Sequence, residues 1–142
     1  MSIETTVHLN FRDQAREALE FYRSVFGGHV VAFTYGQAGD VEHPADADRL
    51  SWGEVRTEEG FHVMAYDVRE NQTHDAGDRP FFVSVRGTDA EEVTRYWKGL
   101  AEGAEVVADL GPAGWSPLYG MLRDRFGVTW TLDVAAGRPL SR

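Results

Sequence analysis

A chain of 142 residues that is 42% hydrophobic and 12% aromatic fits one compact domain spanning residues 1–142, with enough apolar surface to bury a core. Its net charge of −9, from 23 acidic against 14 basic residues, together with the lack of any Lys/Arg cluster, argues against nucleic acid and anionic membrane surfaces as partners. The absence of cysteine removes disulfides, thiolate metal sites and thiol nucleophiles and agrees with a cytoplasmic setting, and no apolar run approaches bilayer-spanning length.

Residues 5–11 alternate, with Val7, Leu9 and Phe11 on one face and Thr6, His8 and Asn10 on the other, as in a strand covered on one side. Asp13 is expected to cap the helix that follows, whose Ala15, Ala18, Leu19, Tyr22, Val25 and Phe26 form an apolar stripe, and Gly27-Gly28 ends it. Three β-rich runs come next, "HVVAFTYG", "RLSWGEVR" and "FHVMAYDVR". The polar stretch at 36–48 between the first two reads as a loop with solvated Asp40, Glu42, Asp46 and Asp48. The first module is thus βαβββ over about residues 3–69, and "ENQTHDAGDRP" at 70–80 reads as a linker.

The order then repeats over about residues 81–135. "FFVSVRG" is a strand, and Thr88 with Glu91 has capping-box spacing for a helix bearing Val93, Tyr96, Trp97 and Leu100. The strands "EVVADLG", "PLYGMLRD" and "VTWTLDV" follow. Ala15, Glu17, Ala18, Phe21, Tyr22, Val25 and Gly28 recur as Ala90, Glu92, Val93, Tyr96, Trp97, Leu100 and Gly103, all 75 residues on. At a second offset, Gly60, Val63 and Ala65 fall on Gly127, Trp130 and Leu132. Two copies of βαβββ predict an α+β fold of two half-open, curved mixed sheets, each with its helix on the outer face, whose inner faces enclose a cavity. Alternation points Thr6, His8, Asn10, His62, Met64, Tyr66, Phe82, Ser84, Thr129 and Thr131 toward that cavity.

Several of these side chains carry chemistry. His8 reads as a catalytic general base, a metal ligand or a hydrogen-bonded, half-buried histidine, and His62 belongs to the same lining. Trp52 and Glu54 share a strand face, which makes either a cation-binding corner or a salt-bridged glutamate beside a packing tryptophan. Trp115 and Tyr119 lie in "GPAGWSPLYGML", read as a loop that sets rings at a cavity mouth for ligand stacking or for a dimer contact. No GxSxG, P-loop or dinucleotide fingerprint occurs, and the acidic stretches lack the spacing of a calcium loop.

The runs "NFRDQAREALEFYRSVFGG", "FFVSVRGTDAEEVTRYWKGLAEGAEVV" and "WSPLYGMLRDRFGVTWTLDV" resemble the vicinal-oxygen-chelate superfamily, in particular its PhnB-like branch, over about residues 5–134. The resemblance implies paired βαβββ modules forming a glyoxalase-like fold and a homodimer. It also implies, in many members, a divalent metal held by His, Glu or Gln on the first and last strands of each module. Those positions fall on His8, Met64, Phe82 and Thr131, of which only His8 is a suitable donor.

The reading that follows is a metal-free, cofactor-free binder of a small organic molecule, with an acidic balance suited to a cationic guest. Its ligand-binding residues are His8, Asn10, Trp52, Glu54, His62, Met64, Tyr66, Trp115, Tyr119 and Thr131. The alternatives are a glyoxalase-like lyase or isomerase, or a dioxygenase-type enzyme, with a non-standard divalent-metal site around His8, metal-free acid–base catalysis by His8 or His62, or an interaction module without ligand.

Overall fold

The periodicities of the sequence become two βαβββ units in a computed structural model, which describes residues 3–135. The chain divides into two compact units, Met1–Gly77 and Asp78–Arg142. The first contains β1 (Val7–Phe11), α1 (Ala15–Phe26), β2 (His29–Thr34), the one-turn helix α2 (Tyr35–Ala38), a 3-10 turn at Pro44–Asp46, β3 (Leu50–Arg56) and β4 (His62–Asp67). The second contains β5 (Val83–Gly87), α3 (Ala90–Leu100), β6 (Glu105–Ala113), β7 (Ser116–Arg123) and β8 (Thr129–Val134).

Each unit is one open, mixed four-stranded sheet, neither closed into a barrel. The orders are β1-β4-β3-β2 and β5-β8-β7-β6, with the first and last strands of each module parallel and the other pairs antiparallel. Amphipathic helices decide which face of each sheet is core. In α1 the buried residues are Ala15, Ala18, Leu19, Tyr22 and Phe26, and they lie with Leu9, Phe11, Val55, Val63 and Ala65. In α3, Val93, Trp97 and Leu100 are buried, as are Val83, Leu122, Leu132 and Trp130 of the second unit's strands.

The duplication reaches the packing itself. Gly53 of β3 pairs with Ala65, and a Cβ there would lie 2.6 Å from Leu19 Cδ1. Gly120 of β7 pairs with Leu132, and a Cβ there would lie 2.7 Å from the Trp97 ring. Both modules therefore omit a side chain at the same ladder position so that a large helical side chain can rest on the strand.

Three local expectations change. Asp13 does not cap α1: it sits at φ 70°, in the left-handed region that Asp tolerates, and its carboxylate takes the Arg49 guanidinium at 2.6 Å. The cap comes from the far end of the module. Buried Asp67, on β4, accepts the Ala15 N–H through Oδ1 at 3.0 Å and the Leu50 N–H through Oδ2 at 2.9 Å. In α3 the capping residue is Asp89, which accepts the Glu91 N–H, rather than Thr88. The run "HVVAFTYG" ends its strand at Thr34, where a Thr34–Gln37 capping box turns the chain into α2.

The connection at 36–48 is also less solvated than its composition predicts. Asp46 is 1% exposed and accepts the Glu70 N–H and an Arg49 N–H through Oδ1. Burial alone would raise its pKa, but those donors outweigh it and hold the carboxyl below its ordinary value. Arg49 also meets Asp13 and Glu70, while Arg69 takes Asp40 and lies over the Tyr35 ring, so the connection is strapped to the end of β4.

Asp67→Ala strands two buried backbone donors, each worth about 1–3 kcal/mol. The expected loss is roughly 2–5 kcal/mol in urea unfolding at neutral pH. A loss below about 0.5 kcal/mol, the level of a neutral surface change, would show that Asp67 does not hold α1 to β3.

Candidate functional site

Because α1 covers one face of the first sheet, the residues that alternate with its core line the opposite face. The strand ladders fix their neighbours. His8 pairs with Met64 and Asn10 with Tyr66. Met64 pairs with Glu54 and His62 with Arg56. Glu54 pairs with Val31, Arg56 with His29 and Trp52 with Phe33. A central row of His8, Met64, Glu54 and Val31 is thus flanked by His62, Arg56 and His29 on one side and by aromatic residues on the other. A register shift beside Ser51 lets Leu50 join Gly53 and Val55 on the core side while Trp52 and Glu54 stay on this face.

The row is tied together by hydrogen bonds. His62 Nε2 lies 2.7 Å from Glu54 Oε1, and His62 Nδ1 lies 2.8 Å from Thr6 Oγ1. The His62 and Glu54 side chains are 10% and 18% exposed. An ionised carboxylate only accepts, so Glu54 selects the tautomer with the proton on Nε2, and Nδ1 then accepts from the Thr6 hydroxyl. Arg56 passes 3.4 Å from the same Nε2 but is held by Glu4 at 3.1 and 3.2 Å, whose carboxyl it keeps below the usual range.

His8 stands outside that chain. Its Nδ1 is 3.0 Å from Asn10 Oδ1, and its ring meets Tyr66 edge-on at 5.3 Å. Trp52 stacks against Phe33, itself 49% exposed, with centroids 6.3 Å apart. The first unit therefore gathers seven of the expected site residues, His8, Asn10, Trp52, Glu54, His62, Met64 and Tyr66, on one sheet face. The sequence reading passed over Arg56 and Phe33. Alternation after Glu54 carried the signal for Arg56, whereas Phe33 meets Trp52 only through the β2–β3 register.

The other three expected residues belong to the second unit. Thr131 pairs with Ser84 and with Met121, so the residue that faces Thr131 as His8 faces Met64 is Ser84, not Phe82, which precedes β5. The stretch read as a loop around Trp115 is instead a β6–β7 hairpin. Tyr119 lies within β7 beside Asp133, and Trp115, 64% exposed at the turn, meets it edge-on at 5.1 Å. Asp133 also holds Arg86 bidentately at 3.1 and 3.2 Å, a pair the sequence reading did not find.

At the positions that the resemblance assigns to a metal, read by ladder, the first unit pairs His8 with Met64, an imidazole and a thioether, and the second pairs Ser84 with Thr131, two hydroxyls. Neither pair offers the N and carboxylate donors that a hard or borderline divalent cation needs. Among the described residues no three His, Asp or Glu side chains converge as a metal site.

Two consecutive βαβββ units, each an open sheet under one helix, define the paired-module class of α+β proteins. The chain belongs to the glyoxalase/bleomycin resistance protein/dioxygenase superfamily, whose family model matches residues 6–132. It is similar to protein PA1353 from Pseudomonas aeruginosa, with 30% identity over 94% of this chain and 98% of that one and a TM-score of 0.82. It is also similar to the PhnB protein from Bacillus cereus, with 26% identity over 94% and 100% and a TM-score of 0.73. A glyoxylase/bleomycin resistance protein/dioxygenase domain from Frankia sp. EAN1pec shares the fold, with 13% identity over 95% of this chain and 98% of that one and a TM-score of 0.67. A comparison with curated proteins finds no match.

The tautomer assignment is open to direct measurement. In long-range ¹H–¹⁵N spectra at neutral pH, His62 is expected to carry its proton on Nε2 and to leave Nδ1 bare, with Thr6→Val altering the Nδ1 shift most. A proton found on Nδ1 would reverse the assignment.

Proposed function

We propose that the protein binds a small organic molecule on the sheet face opposite α1, without a metal ion, and that the ligand combines a flat apolar part with a cationic group. The observation that carries this reading is the placement of Glu54 in a row bordered by the Trp52–Phe33 stack and the Tyr66 ring. A carboxylate beside aromatic faces attracts positive charge from both components, and the rings supply apolar contact area. The net charge of −9 adds a weaker, long-range preference of the same sign. His8 and Asn10, bonded to each other at the sheet edge, offer polar contacts beside this cluster.

Metal independence is supported by the donor chemistry of His8, Met64, Ser84 and Thr131. The superfamily's own description joins enzymes with a resistance protein, so the fold does not decide between reaction and sequestration. In the second unit, taken by itself, Trp115, Tyr119 and Thr131 are proposed as a further set of ligand contacts, supported by the ring pair of exposed Trp115 and half-buried Tyr119. Homodimeric assembly and a cytoplasmic location complete the proposal, the latter supported by the chain's lack of cysteine.

A thermal-shift screen of EDTA-treated protein tests the binding. A cationic dye such as acridine orange, with neutral and anionic aromatics of similar size for comparison, should stabilise by about 2.7 kcal/mol at a hundredfold excess over Kd. For a domain of this length that is on the order of 5–10 °C. Glu54→Gln should remove most of the preference for the cation, and Trp52→Ala most of the shift. Equal shifts for cationic and anionic compounds, or no shift at all, would overturn the proposal. For assembly, light scattering after gel filtration should give a mass about twice the 15.9 kDa of the chain, and a single-chain mass at micromolar concentration would refute the dimer.

A further inference from the structure

The ligand-binding reading uses Glu54 as a charge and leaves the rest of its hydrogen-bonded chain unexplained. That chain runs from carboxylate to imidazole to hydroxyl: Glu54 Oε1 to His62 Nε2 at 2.7 Å, then His62 Nδ1 to Thr6 Oγ1 at 2.8 Å. We propose that Thr6, His62 and Glu54 form a nucleophile–base–carboxylate set that hydrolyses activated acyl compounds, esters or thioesters of small carboxylic acids, through an acyl-Thr6 intermediate.

Three features distinguish this chain from an ordinary surface histidine. First, the imidazole is held at both ends, so its orientation and tautomer are fixed before any substrate arrives, and the lone pair of Nδ1 points at a hydroxyl proton. Second, the set is shielded, with the His62 side chain 10% exposed and Glu54 18%, whereas Thr6 is half-buried and so reachable at one end of the chain. Third, a carboxylate touches the ring: Glu54 lies closer to Nε2, at 2.7 Å, than the Arg56 guanidinium at 3.4 Å, whose charge is in turn offset by Glu4, so the positive charge that develops on the imidazole meets the carboxylate first.

The step balances without any co-reactant except water. Thr6 Oγ1 attacks the acyl carbon while its proton passes to His62 Nδ1, and the Nε2 proton stays on the imidazole facing Glu54. The bond from the acyl carbon to the leaving oxygen or sulfur then breaks, and Nδ1 returns the proton to that leaving group. In the second half, Nδ1 takes a proton from water, hydroxide adds to the acyl-Thr6 ester, and the carboxylic acid leaves as Thr6 recovers its proton. No metal takes part.

The inference goes beyond the binding proposal and does not rest on it. Its test uses p-nitrophenyl acetate with the full chain in EDTA, read by nitrophenolate release and by peptide mass spectrometry of acid-quenched protein. The expected result is turnover with an acetyl group on Thr6, a fall of about a hundredfold or more in Thr6→Val and His62→Gln, and a smaller fall in Glu54→Gln. Thr6→Ser should keep turnover and the adduct at position 6, which separates loss of a nucleophile from loss of fold. His43→Ala, in the connection after α2, should leave the rate unchanged. Thr6→Val as fast as the parent protein, a rate no greater than that of equimolar free imidazole, or acetyl found only on lysine or another histidine would overturn the assignment. None of these outcomes bears on the acridine orange shift, so the two proposals fail separately.

Discussion

The carboxylate of Asp67 is the interaction on which the first module depends. It sits at the last residue of β4, 3% exposed, and accepts one backbone N–H from the start of α1 and another from the start of β3. Its own carbonyl takes the Tyr35 hydroxyl at 2.8 Å. One residue thus sets where the helix begins, where the third strand begins and where the chain turns after β2. An unsatisfied helix N-terminus buried in this position would cost several times the net value of an ordinary hydrogen bond, so the helix and the sheet cannot shift independently. Asp124 plays a comparable part in the second unit, accepting the Phe126 and Val128 N–H groups and the Trp130 indole N–H.

With helix and sheet locked, the opposite face is defined by elimination. Leu9, Val55, Val63 and Ala65 are committed to α1, which leaves His8, Glu54, His62 and Met64 to the face away from it. The chemistry of that surface is set by cross-strand register rather than by sequence neighbours. Glu54 and His62 are eight residues apart in the chain, and their contact exists because the β3–β4 hairpin brings Arg56 opposite His62 and Glu54 opposite Met64. A diagonal pair of this kind lies within reach of long side chains.

The fold was legible because two periodicities and a repeat all pointed the same way. Ala15, Ala18, Leu19 and Tyr22 read as one helical stripe, and they are all buried; Val63 and Ala65 alternate with His62, Met64 and Tyr66 as a one-sided strand should. The identity of the face residues of the first unit followed from the same alternation. What did not follow was anything determined by long-range pairing. Asp13 has good capping chemistry and the right position, yet a carboxylate 54 residues later caps instead, because Arg49 competes for Asp13. Asp46 looked like a solvated loop acid, and only the approach of Glu70 and Arg49 makes its burial tolerable. Around Trp115, Gly and Pro suggested a loop, but β6 runs on through Pro112 as an edge strand, where a missing N–H does no harm.

The matched glycines, Gly53 and Gly120, also record how the two modules diverged. The helix-ending glycines Gly28 and Gly103 stand 75 residues apart and the sheet glycines 67, so the stretch between these landmarks is eight residues longer in the first module. That interval holds α2 and the strapped connection in the first module and a plain hairpin in the second. A longer connection at this point shifts the repeat without disturbing either helix seat. The Arg49 and Arg69 ion pairs fall in that longer stretch, where the extra chain of the first module has to be ordered against its own entropy.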